Sequence, residues 1–286
     1  MRKTKLKYLV SNLIRYCIDL FLLLENKKKL KNNFNQKIID LTSEINLNGF
    51  VVLDNCIKKN TINNIKKKID KLISSETGIT KTGNQIKIKE PLLSVPEIYE
   101  ILKKPIFHHL AKKFFNSEKV RITSLNLRKS MVSTNQANGT ELYHTDRTSL
   151  KPLKIFCYLN DVDIDGGPTV IIKNSSNLLN RPLASFFNYR LSDKTINSYY
   201  KKKDIIYLTS NSGTVQIANT SCIHKGLQPE KNDRYMLTIN FGTHKERNTR
   251  NFTYKKNDLQ KYSFSRELFI DNVFYDENDL PENYIN

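Results

Sequence analysis

The residues best suited to metal chemistry are two histidines and one aspartate, His144, Asp146 and His224. A single residue separates His144 from Asp146, so on an extended strand both side chains leave the same face and can converge on one ion. Two imidazoles and one carboxylate form a ligand set that holds Fe(II) on one side and leaves the remaining positions open for oxygen and an organic co-substrate. The sequence therefore predicts a catalytic metal site at these residues.

Short β-forming runs, separated by clusters of Gly, Asn, Asp and Pro, surround these candidates. Strands are predicted over residues 153–159, 168–172, 204–208, 213–219 and 234–241. Such a series is typical of an all-β sandwich or barrel. His224 then follows one predicted strand and Arg234 opens the next, so both can face the mouth that His144 and Asp146 occupy.

Four segments of this pattern resemble the phytanoyl-CoA dioxygenase family of Fe(II)- and 2-oxoglutarate-dependent oxygenases. They are Gly49 to Asp54, Tyr143 to Asp146, Leu153 to Val162 with Gly166-Gly167-Pro168, and Gly213 through His224-Lys225-Gly226 to Arg234. In order and spacing they cover most of residues 45–245. One difference is Asn174-Ser175-Ser176, where family members usually read Gly-Ser-His. This turn contains no predicted metal ligand.

The resemblance implies a mainly β protein with flanking helices, built on a double-stranded β-helix core of the jelly-roll or cupin type. It also implies that His144, Asp146 and His224 bind iron. Neutral imidazoles and a carboxylate suit ferrous iron, which agrees with the chemistry predicted from the residue types alone.

The resemblance further implies that Arg234 binds the distal carboxylate of 2-oxoglutarate. A guanidinium can pair with a carboxylate through two parallel hydrogen bonds, whereas lysine offers only a point charge. Lys154 aligns with a strand position where relatives place a polar group near 2-oxoglutarate, and Asn126 lies on an earlier strand that can reach the same pocket. The alternatives are a surface salt bridge for Arg234 and, for Lys154, a side chain that only extends from the barrel mouth into water.

Length and composition favour one main domain. A chain of 286 residues with 38% hydrophobic residues can bury one substantial core. We predict an amino-terminal amphipathic helical segment over residues 1–44 and a single oxygenase domain over residues 45–286, with its core at 120–245. Residues 174–203 form a long insertion rich in Tyr and Phe, which is predicted to act as a lid or substrate wall.

An apolar helix is predicted over residues 8–24. It is interrupted by Arg15 and Asp19 and flanked by lysines. The stretch is too short and too charged for a membrane span, which leaves an amphipathic helix. Two interpretations remain open: the helix packs on the barrel, or it makes peripheral contact with an anionic membrane.

The net charge of +19 raises the question of a nucleic-acid partner. The lysines are spread through the chain and no nucleic-acid motif occurs, so no specific nucleic acid is predicted. The four cysteines show no paired zinc spacing. This favours a reducing, cytoplasmic location, with peripheral membrane contact as the alternative.

Together these features predict a dioxygenase that uses Fe(II), 2-oxoglutarate and O2 to hydroxylate a small-molecule, carrier-borne or lipid-linked substrate. The alternative from another class is a non-catalytic β-barrel binding protein that has kept the site. Halogenation is disfavoured, because halogenating relatives lack the carboxylate that Asp146 supplies.

Overall fold

The computed structural model describes residues 34–146, 151–187 and 190–243, together with position 17 and two short strands near the carboxyl terminus. The predicted helix over residues 8–24 lies outside these described ranges, apart from position 17. No helix in the described part of the chain combines the length and the apolar character that a membrane span requires.

Seven α-helices and twelve strands are present in the described residues. The helices are α1 (Gln36–Asn48), α2 (Lys59–Ser74), α3 (Pro91–Ser94), α4 (Tyr99–Leu102), α5 (Pro105–Phe115), α6 (Ala184–Phe187) and α7 (Asp193–Tyr199). The strands are β1 (Phe50–Leu53), β2 (Ile79–Thr82), β3 (Gln85–Ile88), β4 (Arg121–Ser130), β5 (Leu153–Tyr158), β6 (Thr169–Ile172), β7 (Ile205–Leu208), β8 (Val215–Asn219), β9 (His224–Gly226), β10 (Arg234–Gly242), β11 (Tyr254–Lys255) and β12 (Phe274–Tyr275).

Two antiparallel sheets form the core of the fold. The larger has seven strands in the order β1-β8-β5-β10-β4-β3-β2, and the smaller has three in the order β7-β6-β9. Phe156 and Met236 of the larger sheet share one buried cluster with Ile171 and Leu208 of the smaller sheet. The two sheets therefore pack face to face, which confirms the predicted double-stranded β-helix with flanking helices.

The strands of the larger sheet alternate between two environments. On β10, Leu237 and Ile239 belong to the main apolar cluster, whereas Thr238 and Asn240 line a cavity on the other face. The register continues this division across the sheet, because Thr238 pairs with Asn126 on β4 and with Phe156 on β5. Since side chains alternate along a strand, each of these strands has one face toward the helices and one toward the cavity.

The helices that cover the outer face have apolar residues at helical spacing. On α2 the buried residues are Ile62, Ile65 and Ile69, which share one side of the helix. Helix α5 begins with Pro105, where proline is well tolerated, and is capped at its carboxyl end by Asn116, which is in the left-handed conformation. Both helices contribute to the main cluster beneath the larger sheet. The polar cavity is therefore supported from behind by an apolar layer.

The predicted strands are confirmed, with ends that differ by at most two residues. The observed ranges are Leu153–Tyr158, Thr169–Ile172, Ile205–Leu208, Val215–Asn219 and Arg234–Gly242. Helix α1 is capped by Asn35, whose side chain accepts from the Ile38 N–H, and by Gly49, which has a φ of 96°. The predicted division between residues 44 and 45 lies within this helix.

Candidate metal centre and co-substrate pocket

The two candidate histidines are direct neighbours across an antiparallel bridge. The His144 N–H donates to the His224 carbonyl at 2.9 Å, and the His224 N–H donates back to the His144 carbonyl at 2.8 Å. Residues paired in this way project to the same side of a sheet. Their ring centroids are accordingly only 4.3 Å apart.

Asp146 completes the cluster from the segment that follows His144. Its N–H donates to the Thr220 carbonyl at 2.9 Å, which fixes the backbone beside β8. The carboxylate lies 3.8 Å (Oδ1) from His144 Nε2 and 3.6 Å (Oδ2) from His224 Nε2. The candidate ligand atoms of the three residues all lie within 4.8 Å of one another. Such spacing is compatible with one shared ion.

Main-chain carbonyls orient both imidazole rings. His144 Nδ1 lies 2.8 Å from the Leu142 carbonyl, and His224 Nδ1 lies 2.9 Å from the Cys222 carbonyl. A carbonyl oxygen only accepts, so each Nδ1 is assigned the proton and each Nε2 keeps its lone pair for a metal. Burial, followed by the nearby His224, lowers the pKa of His144 to about 3. Burial also lowers the pKa of His224. Both rings are therefore neutral, as metal ligation requires.

The Asp146 carboxylate is held in its charged form by Lys154. Lys154 Nζ lies 2.7 Å from Asp146 Oδ2. Burial by itself would raise the pKa of Asp146, but Lys154 and the two histidines outweigh it and hold the pKa below its usual value. The candidate metal ligands thus combine two neutral nitrogens and one anionic oxygen, a donor set that fits Fe(II).

All six site residues predicted from the sequence line a single cavity of about 210 Å³. They are His144, Asp146, His224, Arg234, Lys154 and Asn126. The remaining lining residues come mostly from the inner faces of β3, β4, β5 and β10. They are Gln85, Ser124, Arg128, Thr140, Glu141, Phe156, Thr169, Gly226, Thr238 and Asn240.

Arg234 enters the cavity from the first position of β10 and is buried. Its Nη1 donates to the Leu227 carbonyl at 3.2 Å, and its Nη2 donates to Ser130 Oγ at 3.4 Å. The Nε atom is buried and has no hydrogen-bond partner among the residues that the structure describes. An unsatisfied buried donor is costly unless a ligand supplies the acceptor. This fits a carboxylate-bearing co-substrate.

Several cavity residues are not predicted from the sequence. Arg128 and Thr238 are the most informative, because Arg128 Nε and Thr238 Oγ1 are both buried without a hydrogen-bond partner in the described ranges. The sequence feature that indicates the orientation of Arg128 is the alternation along β4, where apolar Leu125 and Leu127 flank Asn126 and precede Arg128. Once Asn126 is assigned to the cavity, period-two alternation assigns Arg128 to it as well.

The fold and the residues at this cavity define a class. A double-stranded β-helix that brings two neutral histidines and one carboxylate together, beside a buried arginine, is the arrangement of an oxygenase-type enzyme that uses iron and 2-oxoglutarate. A family model described as Phytanoyl-CoA dioxygenase (PhyH) matches residues 45–230, and the chain belongs to this family. No curated protein sequence matches this chain.

Solved structures with the same fold include SnoN, HygX and SnoK. SnoN, titled a non-heme alpha ketoglutarate dependent epimerase from nogalamycin biosynthesis, has a TM-score of 0.54 at 12% identity, over 72% of this chain and 82% of its own. HygX from Streptomyces hygroscopicus, solved with nickel and 2-oxoglutarate bound, has a TM-score of 0.54 at 13% identity, over 73% and 87%. SnoK, an alpha ketoglutarate dependent carbocyclase, has a TM-score of 0.50 at 12% identity, over 73% and 84%. At these identities the likeness is one of fold.

Proposed function

We propose that His144, Asp146 and His224 hold Fe(II) and that the chain oxidises a small-molecule substrate, most simply by hydroxylation. The observation that carries this proposal is the convergence of two metal-facing Nε2 atoms and one carboxylate in the same cavity as a buried arginine. When bound, iron and 2-oxoglutarate together supply the activation of O2 toward an unreactive C–H bond. The site forms part of a proposed single domain over residues 45–286, preceded by a segment over residues 1–44.

The residues of the protein are proposed to bind the co-substrate, to orient the metal ligands and to exclude water. Arg234 is proposed to bind the distal carboxylate of 2-oxoglutarate through its fork of donors. Lys154 fixes the orientation of the Asp146 carboxylate, and its ammonium is also available to the co-substrate inside the cavity. Asn126 lines the same cavity, and its side-chain amide N–H groups are donors, so Asn126 is proposed as a further contact. The apolar layer behind the sheet keeps these groups in place.

Substrate selection is proposed to depend on the insertion over residues 174–203. The Leu191 N–H donates to the Tyr143 carbonyl at 2.8 Å, directly beside His144. Lys225 Nζ donates to both Asp193 carboxylate oxygens at 2.8 and 2.9 Å, directly beside His224. These contacts hold the start of α7 against both histidine-bearing segments, which supports a role for the insertion as a substrate wall.

The finer substrate class is a carrier-borne or lipid-linked molecule, in keeping with the basic character of the chain. A cytoplasmic location with peripheral contact to anionic membrane through residues 8–24 would give access to lipid-linked substrates. HygX, one of the structures with this fold, has been solved with hygromycin B bound, which supports the broader class of small molecules.

The decisive experiment is an anaerobic titration of Fe(II) and 2-oxoglutarate into the protein, monitored by the weak visible charge-transfer absorption of the iron and keto-acid pair. The wild-type protein should show the band, and Arg234→Met should need far more 2-oxoglutarate to develop it. Succinate, which lacks the keto group, serves as the blank. A folded wild-type protein that develops no band would favour the non-catalytic binding protein instead.

A further inference from the structure

The cavity contains a second guanidinium, that of Arg128. Arg128 pairs with Met236 in the β4–β10 register, and Ser130, two residues further on, pairs with Arg234. Arg128 and Arg234 are therefore diagonal neighbours on the same face, with backbone positions roughly 7–8 Å apart. Both side chains line the cavity, and both have a buried Nε without a hydrogen-bond partner in the described part of the chain.

This corner of the cavity has more positive than negative charge. Glu141 is the nearby carboxylate, and its Oε2 already accepts from Gln228 Nε2 at 2.7 Å and from the Asn138 N–H at 2.9 Å. Lys87 on β3, the cross-strand partner of Arg128 on β4, adds positive charge. Burial, followed by repulsion from Arg234, lowers the pKa of Arg128 to about 10. Two buried guanidiniums this close together need a bound anion.

We propose that Arg128 is a second carboxylate-binding residue, which holds the distal carboxylate of 2-oxoglutarate together with Arg234. The inference rests on the proposed function of the site. One carboxylate has about four acceptor positions, enough to receive hydrogen bonds from two guanidiniums at once. Both guanidiniums line the same cavity from diagonal positions on neighbouring strands, so one carboxylate bound there is within reach of both. An acidic group on the substrate is the competing occupant.

The test measures 2-oxoglutarate affinity directly, by anaerobic calorimetry on protein loaded with Mn(II). Arg128→Met should weaken binding about tenfold to a hundredfold, as expected for loss of a hydrogen bond between charged groups. Arg128→Lys should retain part of the affinity because it keeps the charge. Lys129→Met is the matched control: Lys129 is the next residue on β4, faces away from the cavity and pairs with Asp233 at 3.0 Å. Its affinity should stay within about twofold of wild type.

A second ligand shows whether the lost affinity comes from the distal carboxylate. 2-Oxobutyrate has the keto acid but lacks the distal carboxylate, so Arg128→Met should bind it as weakly as the wild type does. The inference is overturned if Arg128→Met and Arg128→Lys both keep wild-type affinity for 2-oxoglutarate. A wild-type protein that binds Mn(II) but no 2-oxoglutarate would instead contradict the proposed function.

Discussion

The two faces of β10 differ in whether other protein groups satisfy their side chains. Leu237 on the outer face is fully buried against apolar side chains of the main cluster. Thr238, the next residue, faces the cavity with a buried hydroxyl that has no hydrogen-bond partner among the described residues. Adjacent residues on one strand thus face the apolar core and the polar cavity, respectively. The difference indicates that changes on the outer face should act on folding, and changes on the inner face on ligand binding.

The largest effect is expected at the metal end of the inner face. Asp146→Ala should abolish 2-oxoglutarate turnover, a greater loss than the 10–100-fold typical of an outer-shell partner, because it removes the one anionic ligand. The fold should survive, since an open catalytic site contributes less to folding than a closed structural one. Succinate formation and circular dichroism measure the two properties. Asp204→Asn is a suitable control, and full activity in Asp146→Ala would show that the ligand set is wrong.

The next effect should appear on the outer face, as lost stability. Leu237→Ala removes a fully buried side chain and should lower the free energy of unfolding by about 2–5 kcal/mol. The folded fraction should retain the wild-type KM for 2-oxoglutarate. Urea unfolding and steady-state kinetics below the transition give both numbers. A changed KM with unchanged stability would mean that the two faces are not separate.

A smaller effect is expected for Arg234→Lys at the arginine end of the cavity. Lysine keeps the charge but loses the forked geometry, so the KM for 2-oxoglutarate should rise about tenfold to a hundredfold. Metal affinity should hardly change, because in the described residues the hydrogen bonds of Arg234 go to the Leu227 carbonyl and to Ser130 and not to a candidate ligand. Kinetics at varied 2-oxoglutarate and calorimetry with Mn(II) separate the two quantities. Equal losses of both would indicate a general disturbance of the barrel.

The smallest effect, and the sharpest test of the comparison, is expected for Thr238→Val. This change keeps the shape of the side chain and removes a buried hydroxyl that lacks a partner in the described residues. The free energy of unfolding should stay the same or rise by up to about 1 kcal/mol, because an unsatisfied polar group is replaced by an apolar one. Thermal unfolding without ligand checks this. A loss of more than about 1 kcal/mol would show that the hydroxyl already has a structural role.

The sequence predicts the fold well where strands are strongly apolar and bounded by turn residues. Strands β5, β8 and β10 fall within two residues of their predicted limits. The hairpin of β2 and β3 is not predicted, because its strands carry lysines and are only four residues each. Short polar strands have weak local signals, and their pairing with β4 supplies the stability that propensity does not.

The site is predicted less evenly than the fold. The candidate metal cluster follows from residue types and spacing, and the role predicted for Arg234 follows from the family resemblance and from its position at the start of a strand. Arg128 is missed because it precedes Lys129, and two adjacent basic residues usually indicate an exposed strand. Their different environments depend on the pairing of β4 with β10, which places Arg128 inside and Lys129 outside. Such long-range register cannot be read from a single local segment.

The hydrogen bonds from both imidazole rings to main-chain carbonyls have an evolutionary consequence. The acceptors are the carbonyls of Leu142 and Cys222, two positions before each histidine. Every amino acid has a main-chain carbonyl, so a substitution at either position changes the side chain but keeps the acceptor that selects the tautomer. The Asp146 carboxylate, in contrast, depends on the side chain of Lys154, which a single codon change can remove. We therefore expect substitutions to be tolerated at Leu142 and Cys222, which support the two histidines, more readily than at Lys154, which supports Asp146.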